Sequence, residues 1–213
     1  MKNSLWYLWL LLPFMGVFAS CSNDDEAAST EATWATQNAA WFALAVDSAR
    51  TKIAEAKAEW GDDWQTHCQW RMYKSLHKTP DMRGTMMDSI CVHILERGTG
   101  TISPRSTDSV RVHFKGWLMP STDGSRTSFT QTYYGEFNPE VAAPQLMSVS
   151  STVAGFSTAL QYMHVGDNWL VYIPYTAAYG TTGSGTIPGY STLTFHLNLA
   201  AIYKPGSGIP DWK

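Results

Sequence analysis

Charge is scarce in this chain. Only 15% of its 213 residues are Asp, Glu, Lys or Arg, and the two signs nearly cancel, leaving a formal net charge of −3 at pH 7. No basic run or patch is present, so nucleic acid is not an expected partner. Cysteine is also sparse, at three residues, and neither the cysteines nor the six scattered histidines have the spacing of a zinc site. No glycine-rich phosphate loop follows a strand, no His-Glu-x-x-His occurs, and no pair of carboxylates makes a defensible acid–base site. Neither a metal nor a cofactor is therefore expected. The one long apolar run, Leu5 to Phe18, is short of the ~20 residues that a spanning helix needs. Aromatic residues, by contrast, are plentiful: ten Trp, ten Tyr and eight Phe predict a packed fold with apolar clefts rather than a disordered chain.

The N-terminal segment is a targeting signal rather than part of the fold. Lys2 supplies a positive start, the apolar run follows, and Phe18-Ala19-Ser20 ends in small residues before Cys21. This arrangement resembles a bacterial lipoprotein signal over residues 1–20, with Cys21 as the lipidated residue; the plainer alternative is an ordinary secretory signal with a chance cysteine. A membrane contact through the lipid anchor alone is expected. The acidic Asn23-Asp24-Asp25-Glu26 resembles the export tag of Bacteroidetes-type surface lipoproteins, and is otherwise a solvated spacer. A cell-envelope location follows, as an outer-membrane lipoprotein with a lean toward the exposed surface. Cys68 and Cys91 remain, and in an extracytoplasmic chain they form either a disulfide or two separately buried thiols.

Residues 21–32 are small and polar and read as a flexible tether. Over 33–65 the pattern is helical: Phe42, Val46, Ala49, Ile53, Ala56 and Trp60 recur at steps of three and four, and Gly61-Asp62-Asp63 stops the helix. This extension must bury its stripe on the domain that follows or on a second copy of itself, which would make a homodimer. Residues 66–87, with a turn at Lys78-Thr79-Pro80-Asp81, read as a connection. From Asp88 the period becomes two. Ile90, Val92 and Ile94, then Val110, Val112 and Phe114, then Trp169, Val171 and Ile173, then Leu193, Phe195, Leu197 and Leu199 each mark one face of a strand. His93, His113 and His196 fall on the opposite faces, where solvated histidines are expected. Phe156, Ala159, Leu160 and Met163 share one side of a short helix. The fold class is α+β, an antiparallel sheet wrapped around that helix over residues 88–204, preceded by the helical extension and followed by a tail at 205–213.

The segment Val153–Leu199 places an apolar helix turn, Val165-Gly166-Asp167, a strand ending in Ile173-Pro174, Ala178-Tyr179-Gly180, Ile187-Pro188 and an alternating strand in one order. That order resembles the FKBP-type peptidyl-prolyl cis-trans isomerases. The resemblance implies a half-barrel antiparallel sheet over one short helix, with a pocket between them. It implies rotation of the Xaa-Pro amide, a reaction whose barrier is about 18–20 kcal/mol and which requires no nucleophile, metal or redox group. Preferential binding of the twisted amide suffices.

Carried over residue by residue, the resemblance assigns catalytic positions to Tyr179, Phe129, Val153 and Phe156, and substrate-binding positions to Phe114, Ile187 and Phe195. Phe114 replaces the family's strand tyrosine and Phe156 its tryptophan floor. Val153 holds the position whose N–H meets the substrate carbonyl, and Tyr179 is a phenol able to donate. As isolated residues, Phe114, Phe156 and Phe195 would equally be core packing. Thr130 stands where the family has an aspartate and Gly189 where it has the second rim proline. The match at Pro144-Gln145-Leu146-Met147 is loose, and Tyr133, Tyr134 and Phe137 in the long preceding segment either rebuild a pocket wall or lie on the surface. The expected function is isomerisation of proline-containing polypeptides during folding of exported proteins. The alternatives are an FKBP-fold binding module or chaperone with little activity, and a glycan-binding surface lipoprotein, which the ordered motif disfavours.

Overall fold

The structure is a computed structural model that describes residues 23–77 and 85–212. The expected signal segment 1–20, Cys21 and the expected Lys78–Asp81 turn lie outside the described residues. Helix α1 spans Asn23–Trp60 and is followed, after one 3-10 turn, by α2, Trp64–His67. The strands are β1 Trp70–Lys74, β2 Ser89–Glu96, β3 Ser109–Trp117, β4 Ser128–Gln131, β5 Gln145–Ser148, β6 Asn168–Ile173 and β7 Leu193–Tyr203, with α3, Ala154–Tyr162, between β5 and β6. All seven form one antiparallel sheet in the order β1-β2-β6-β7-β3-β4, with β5 pairing on the same edge of β3 as β4.

The period-two residues share the inner face as expected. Ile90, Val92, Val110, Val112, Val171, Ile173, Leu193, Leu197 and Leu199 are fully buried, and they pack with Ala159, Leu160 and Met163 of α3. α3 approaches closely because Gly155 faces Ile173; a Cβ there would stand 2.3 Å from Ile173 Cγ2. The Val165-Gly166-Asp167 turn is tied to the break after β2 by the Asp167 carboxylate, which accepts from the Gly98 N–H at 2.7 Å and the His164 N–H at 2.8 Å.

The first half of the α1 stripe buries on its own domain, while Trp60 at its end is 45% exposed. Phe42, Val46 and Ala49 are inaccessible and form a second cluster with Cys91, against Trp70, Met72 and Tyr172 on the outer face of β1, β2 and β6. Three expectations are corrected here. The tether expected at 21–32 is helical from Asn23, because Glu26, Ala27, Ala28, Glu31 and Ala32 are good helix formers and continue α1 without a break. The connection expected at 66–87 contains the edge strand β1, in register from Trp70↔His93 to Lys74↔Ser89. Arg71 masked its alternation: the side chain is buried, yet its guanidinium donates to the carbonyls of Cys68 at 2.9 Å and Trp70 at 2.6 Å, and to that of Gln65.

The third correction concerns the outer histidines. His113 is 1% exposed and His196 7%. They lie under Phe137, Tyr133 and Trp212, which cover the outer face of β3 and β7 while α1 covers the other half. His93 stacks on Trp70, with ring centroids 4.5 Å apart. Cys68 and Cys91 are both buried and both free. Cys91 pairs with Met72 inside β1, whereas Cys68 lies before that strand, so the register does not set the two cysteines opposite each other. The Cys91 Sγ donates to the Ala45 carbonyl at 3.3 Å, and burial pushes its thiol up to about 12.

Candidate active site

Between α3 and the inner face of the sheet lies an open cavity of about 480 Å³. Its floor and walls include Phe114, Phe129, Val153, Phe156, Tyr179, Ile187 and Phe195, the seven positions singled out in the sequence. They come from β3, β4, the N-terminus of α3, the loop after β6 and β7. No charged side chain among the described residues lines it.

The aromatic floor is a continuous edge-to-face chain. Phe114 meets Phe156 at 5.9 Å between centroids and 87° between planes. Phe156 meets Phe195 at 5.0 Å and 89°, and Phe195 meets Phe129 at 5.5 Å and 89°. Such contacts suit the aromatic quadrupole and fix each ring by its neighbour. Space for them depends on Gly116: a Cβ on that residue would stand 2.7 Å from Phe195 Cε1 and 2.8 Å from Phe129 Cζ.

Val153 is the N-cap of α3, with extended backbone at φ −60° and ψ 151°. Its carbonyl accepts the Ser157 N–H at 2.9 Å, while its own N–H has no acceptor among the described residues. A donor at a helix N-terminus beside an apolar cavity is placed to meet a carbonyl oxygen. Tyr179 is 37% exposed at the cavity mouth, and the loop that carries it is internally bonded. Gly180 donates to the Tyr175 carbonyl at 2.9 Å, Gly183 to that of Tyr179 at 3.1 Å, and Tyr190 to that of Gly180 at 2.9 Å.

The departures from the family pattern have local causes. Gly189 sits against the Thr181 carbonyl, where a Cβ would stand 2.0 Å from the oxygen, so the loop's path excludes a second proline. Thr130 lines the cavity, and with Phe114 it leaves an uncharged wall there. Met147 occupies part of the wall where the sequence match is loose. Tyr133, Tyr134 and Phe137 do not line this cavity: Tyr134 is 85% exposed, and the other two pack on the far face of the sheet.

Sequence reasoning missed the support of the rim. The Asn38 side chain of α1, wholly buried, accepts the Thr192 N–H at 2.8 Å, and the Thr192 hydroxyl donates to the Asn38 carbonyl at 3.0 Å. The Trp34 indole donates to Ser191 Oγ at 3.2 Å, and that hydroxyl donates to the Pro188 carbonyl at 2.6 Å. A helix 150 residues upstream thus holds the Ile187-Pro188 rim. A polar residue on an otherwise apolar helix stripe was the only signal for it.

Comparison with known proteins agrees with this geometry. The family described as FKBP-type peptidyl-prolyl cis-trans isomerase matches residues 100–200. The chain is 36% identical over 117 residues to a macrophage infectivity potentiator of Trypanosoma cruzi, covering 54% of this chain and 53% of that one. It is 36% identical over 112 residues to the FKBP-type 22 kDa peptidyl-prolyl cis-trans isomerase of Escherichia coli, covering 51% and 48%. It is 31% identical over 112 residues to the outer membrane protein MIP of Legionella longbeachae, covering 52% and 43%. The chain spans about half the length of these relatives or less. Residues 100–200, which supply all seven pocket positions, are the part of the chain that matches the FKBP-type peptidyl-prolyl cis-trans isomerase family.

Proposed function

We propose that this protein is a peptidyl-prolyl cis-trans isomerase acting on proline-containing segments of exported or envelope polypeptides. The observation that carries the reading is the convergence of four phenylalanines, Ile187, Tyr179 and the unpaired Val153 N–H on one uncharged cavity. Phe156 is the floor for the proline ring, between Phe114 and Phe195. Phe129 and Ile187 close the sides. The Val153 N–H holds the carbonyl oxygen of the Xaa-Pro bond, and the Tyr179 phenol donates at the mouth.

Twisting the amide breaks its resonance and lowers its charge separation, so an apolar cavity favours the twisted form over the planar one. The donor at the carbonyl then fixes the rotated geometry. The reaction moves no proton, which is why an uncharged lining serves it.

Cys21 is read as the lipid-bearing residue and the envelope as the location. The leader composition supports this, as does the resemblance to a protein named for the outer membrane. The unit that folds around the pocket is read as residues 88–204, extended by β1 and clasped by α1.

Addition of the protein to a short Xaa-Pro peptide is expected to speed cis-to-trans relaxation. Replacing Phe156 with serine is expected to abolish the effect while circular dichroism stays that of a folded chain. An uncatalysed rate with folded wild-type protein, across several residues before proline, would leave a binding module in place of an enzyme.

A further inference from the structure

One wall of the proline cavity is built on a short edge strand. β4 is four residues long and lies at the end of the sheet, paired with β3. It nevertheless supplies two successive cavity residues, Phe129 and Thr130. Successive residues of a regular strand face opposite ways, so a regular β4 could offer only one of them.

A β-bulge resolves this. Trp117 pairs with Ser128 and Gly116 with Thr130, which leaves Phe129 without an opposite residue. An extra residue of this kind re-aims the chain beyond it by one position. Thr130 therefore shares the inner face with Gly116, and the Phe129 ring lies over Gly116, which has no Cβ to obstruct it. The other face agrees. Ser128 Oγ stands 3.3 Å from Gln131 Oε1, although regular alternation would put residues three apart on opposite sides. On one side of the bulge, β4 is held by the Leu118 N–H, which donates to the Thr127 carbonyl at 3.1 Å, and by Ser128 Oγ, 3.2 Å from the Gly116 carbonyl. On the other side the hold is Thr132. Its N–H donates to the Phe114 carbonyl at 2.9 Å. Its hydroxyl accepts the Phe114 N–H at 3.0 Å, where a regular antiparallel pair would use the Thr132 carbonyl, and lies 3.2 Å from the Phe114 carbonyl.

A competing arrangement exists. Continuing the Trp117–Ser128 pairing without the bulge would set Phe129 against Gly116, Thr130 against Lys115 and Gln131 against Phe114. That ladder is regular in its main-chain bonds, so backbone pairing alone does not select the bulge. It would turn Thr130 to the outer face and bring the Gln131 amide to the inner face beside Phe114. The Thr132 hydroxyl answers the Phe114 N–H only in the bulged form. Phe114 is 7% exposed, so leaving that N–H unanswered is costly. Thr132 itself does not line the cavity. We propose that Thr132 is a positioning residue: its hydroxyl latches β4 in the bulged register and so keeps Thr130, and not Gln131, in the cavity wall beside Phe129. Its bearing on catalysis rests on the reading of that cavity as a prolyl isomerase site.

The test uses the full chain. T132V keeps the shape of the side chain and removes the hydroxyl, whereas T132S keeps the hydroxyl. In T132V the KM for a short Xaa-Pro peptide is expected to rise roughly tenfold while kcat changes by less than roughly twofold, and T132S is expected to stay at wild-type values. NMR reads the register without substrate. The Thr130 methyl is expected to give cross-peaks to the aromatic ring protons of the cavity in wild type and T132S, and to the Lys115 side chain in T132V. Should T132V fail to fold, T132A makes the same deletion, and the wild-type cross-peaks still report the register. A lower urea midpoint in T132V with KM and cross-peaks unchanged would make Thr132 a structural residue only and overturn the proposal. So would T132S behaving like T132V, or wild-type cross-peaks from Thr130 to Lys115. Folded wild-type protein that shows the expected cross-peaks but does not speed relaxation would sink the isomerase reading instead, with the latch still decided by the cross-peaks of the variants.

Discussion

Asn38→Ala tests whether α1 positions the rim of the proline pocket or merely adds bulk to the domain. Asn38 and Thr192 are both fully buried, and the 2.8 Å bond from the Thr192 N–H to Asn38 Oδ1 joins the helix to the strand-entry residue just past the rim. Alanine removes the acceptor and leaves that N–H in a dry site, a loss of about 1–3 kcal/mol. The bond from the Thr192 hydroxyl to the Asn38 main-chain carbonyl survives, so the helix stays docked but the loop gains freedom. The expected result is a lower urea midpoint together with a raised KM for Xaa-Pro peptide. Val46→Ala is the control. Val46 is equally buried in the same helix interface but lies away from the rim, and a cavity there lowers stability by about 1 kcal/mol or more. It is expected to shift the midpoint and leave KM in place. If both variants raise KM alike, or neither does, the helix contributes only stability and the positioning argument fails.

Gly116→Ala is expected to impair isomerisation more than folding. Its methyl would press on the Phe195 and Phe129 rings, overpacking that costs about 1–3 kcal/mol, and the partly exposed Phe129 is the ring free to yield into the cavity. Relaxation rates and urea midpoints, measured on one sample, separate the two effects. Acid should weaken the fold through His196. Burial lowers its imidazole to about 4 and raises the phenol of Tyr133, which shares a 2.6 Å hydrogen bond with His196 Nδ1, to about 12. The unfolded imidazole protonates first as pH falls. The stabilisation is therefore complete above about pH 6.5 and drains toward pH 4, by up to about 2 kcal/mol at pH 5. Urea midpoints between pH 7 and pH 5 should drop more for wild type than for H196Q; parallel slopes would clear His196. Cys91 should resist iodoacetamide in the native chain and react in urea, because its thiol is buried and stays protonated near neutral pH. Native labelling at Cys91, read by peptide mass, would contradict that placement.

The inner half of the architecture was legible because its signals are local. A period of two in β2, β3, β6 and β7 and a short apolar helix face state directly which side chains meet, and the pocket residues sit on those same faces, at the start of that helix or in the Gly-rich loop, except Phe129, which the short strand β4 supplies. The outer half was not. Reading His113 and His196 as solvated assumed that alternation means one wet face. The covering residues Tyr133, Phe137 and Trp212 lie in irregular segments with no period to announce where they pack. β1 escaped for a related reason: a five-residue strand with a buried arginine presents too few turns of the pattern, and its burial is made possible by carbonyls of another element. The Asn38–Thr192 link spans 154 positions, a distance over which no local pattern carries information.

The two faces of β3 and β7 explain how an uncharged pocket and a titrating core coexist in one sheet. Successive residues alternate between them: Phe114 and Phe195 face the proline cavity, while His113 and His196 face the outer layer. The proposed amide rotation transfers no proton, so under that proposal nothing on the inner face needs to ionise, and Phe114 and Thr130, in place of polar residues, remove no proton carrier from it. The outer face bears the opposite constraint. Its histidines must stay neutral to remain buried, and their protonation acts on the stability of strands whose other side is the site. Between pH 5 and 7 the chemistry is thus expected to be level in the folded fraction, and any loss of total activity to follow the unfolding curve. A rate that falls while the folded fraction is constant would mean that a proton is used in the pocket, against the uncharged-cavity mechanism.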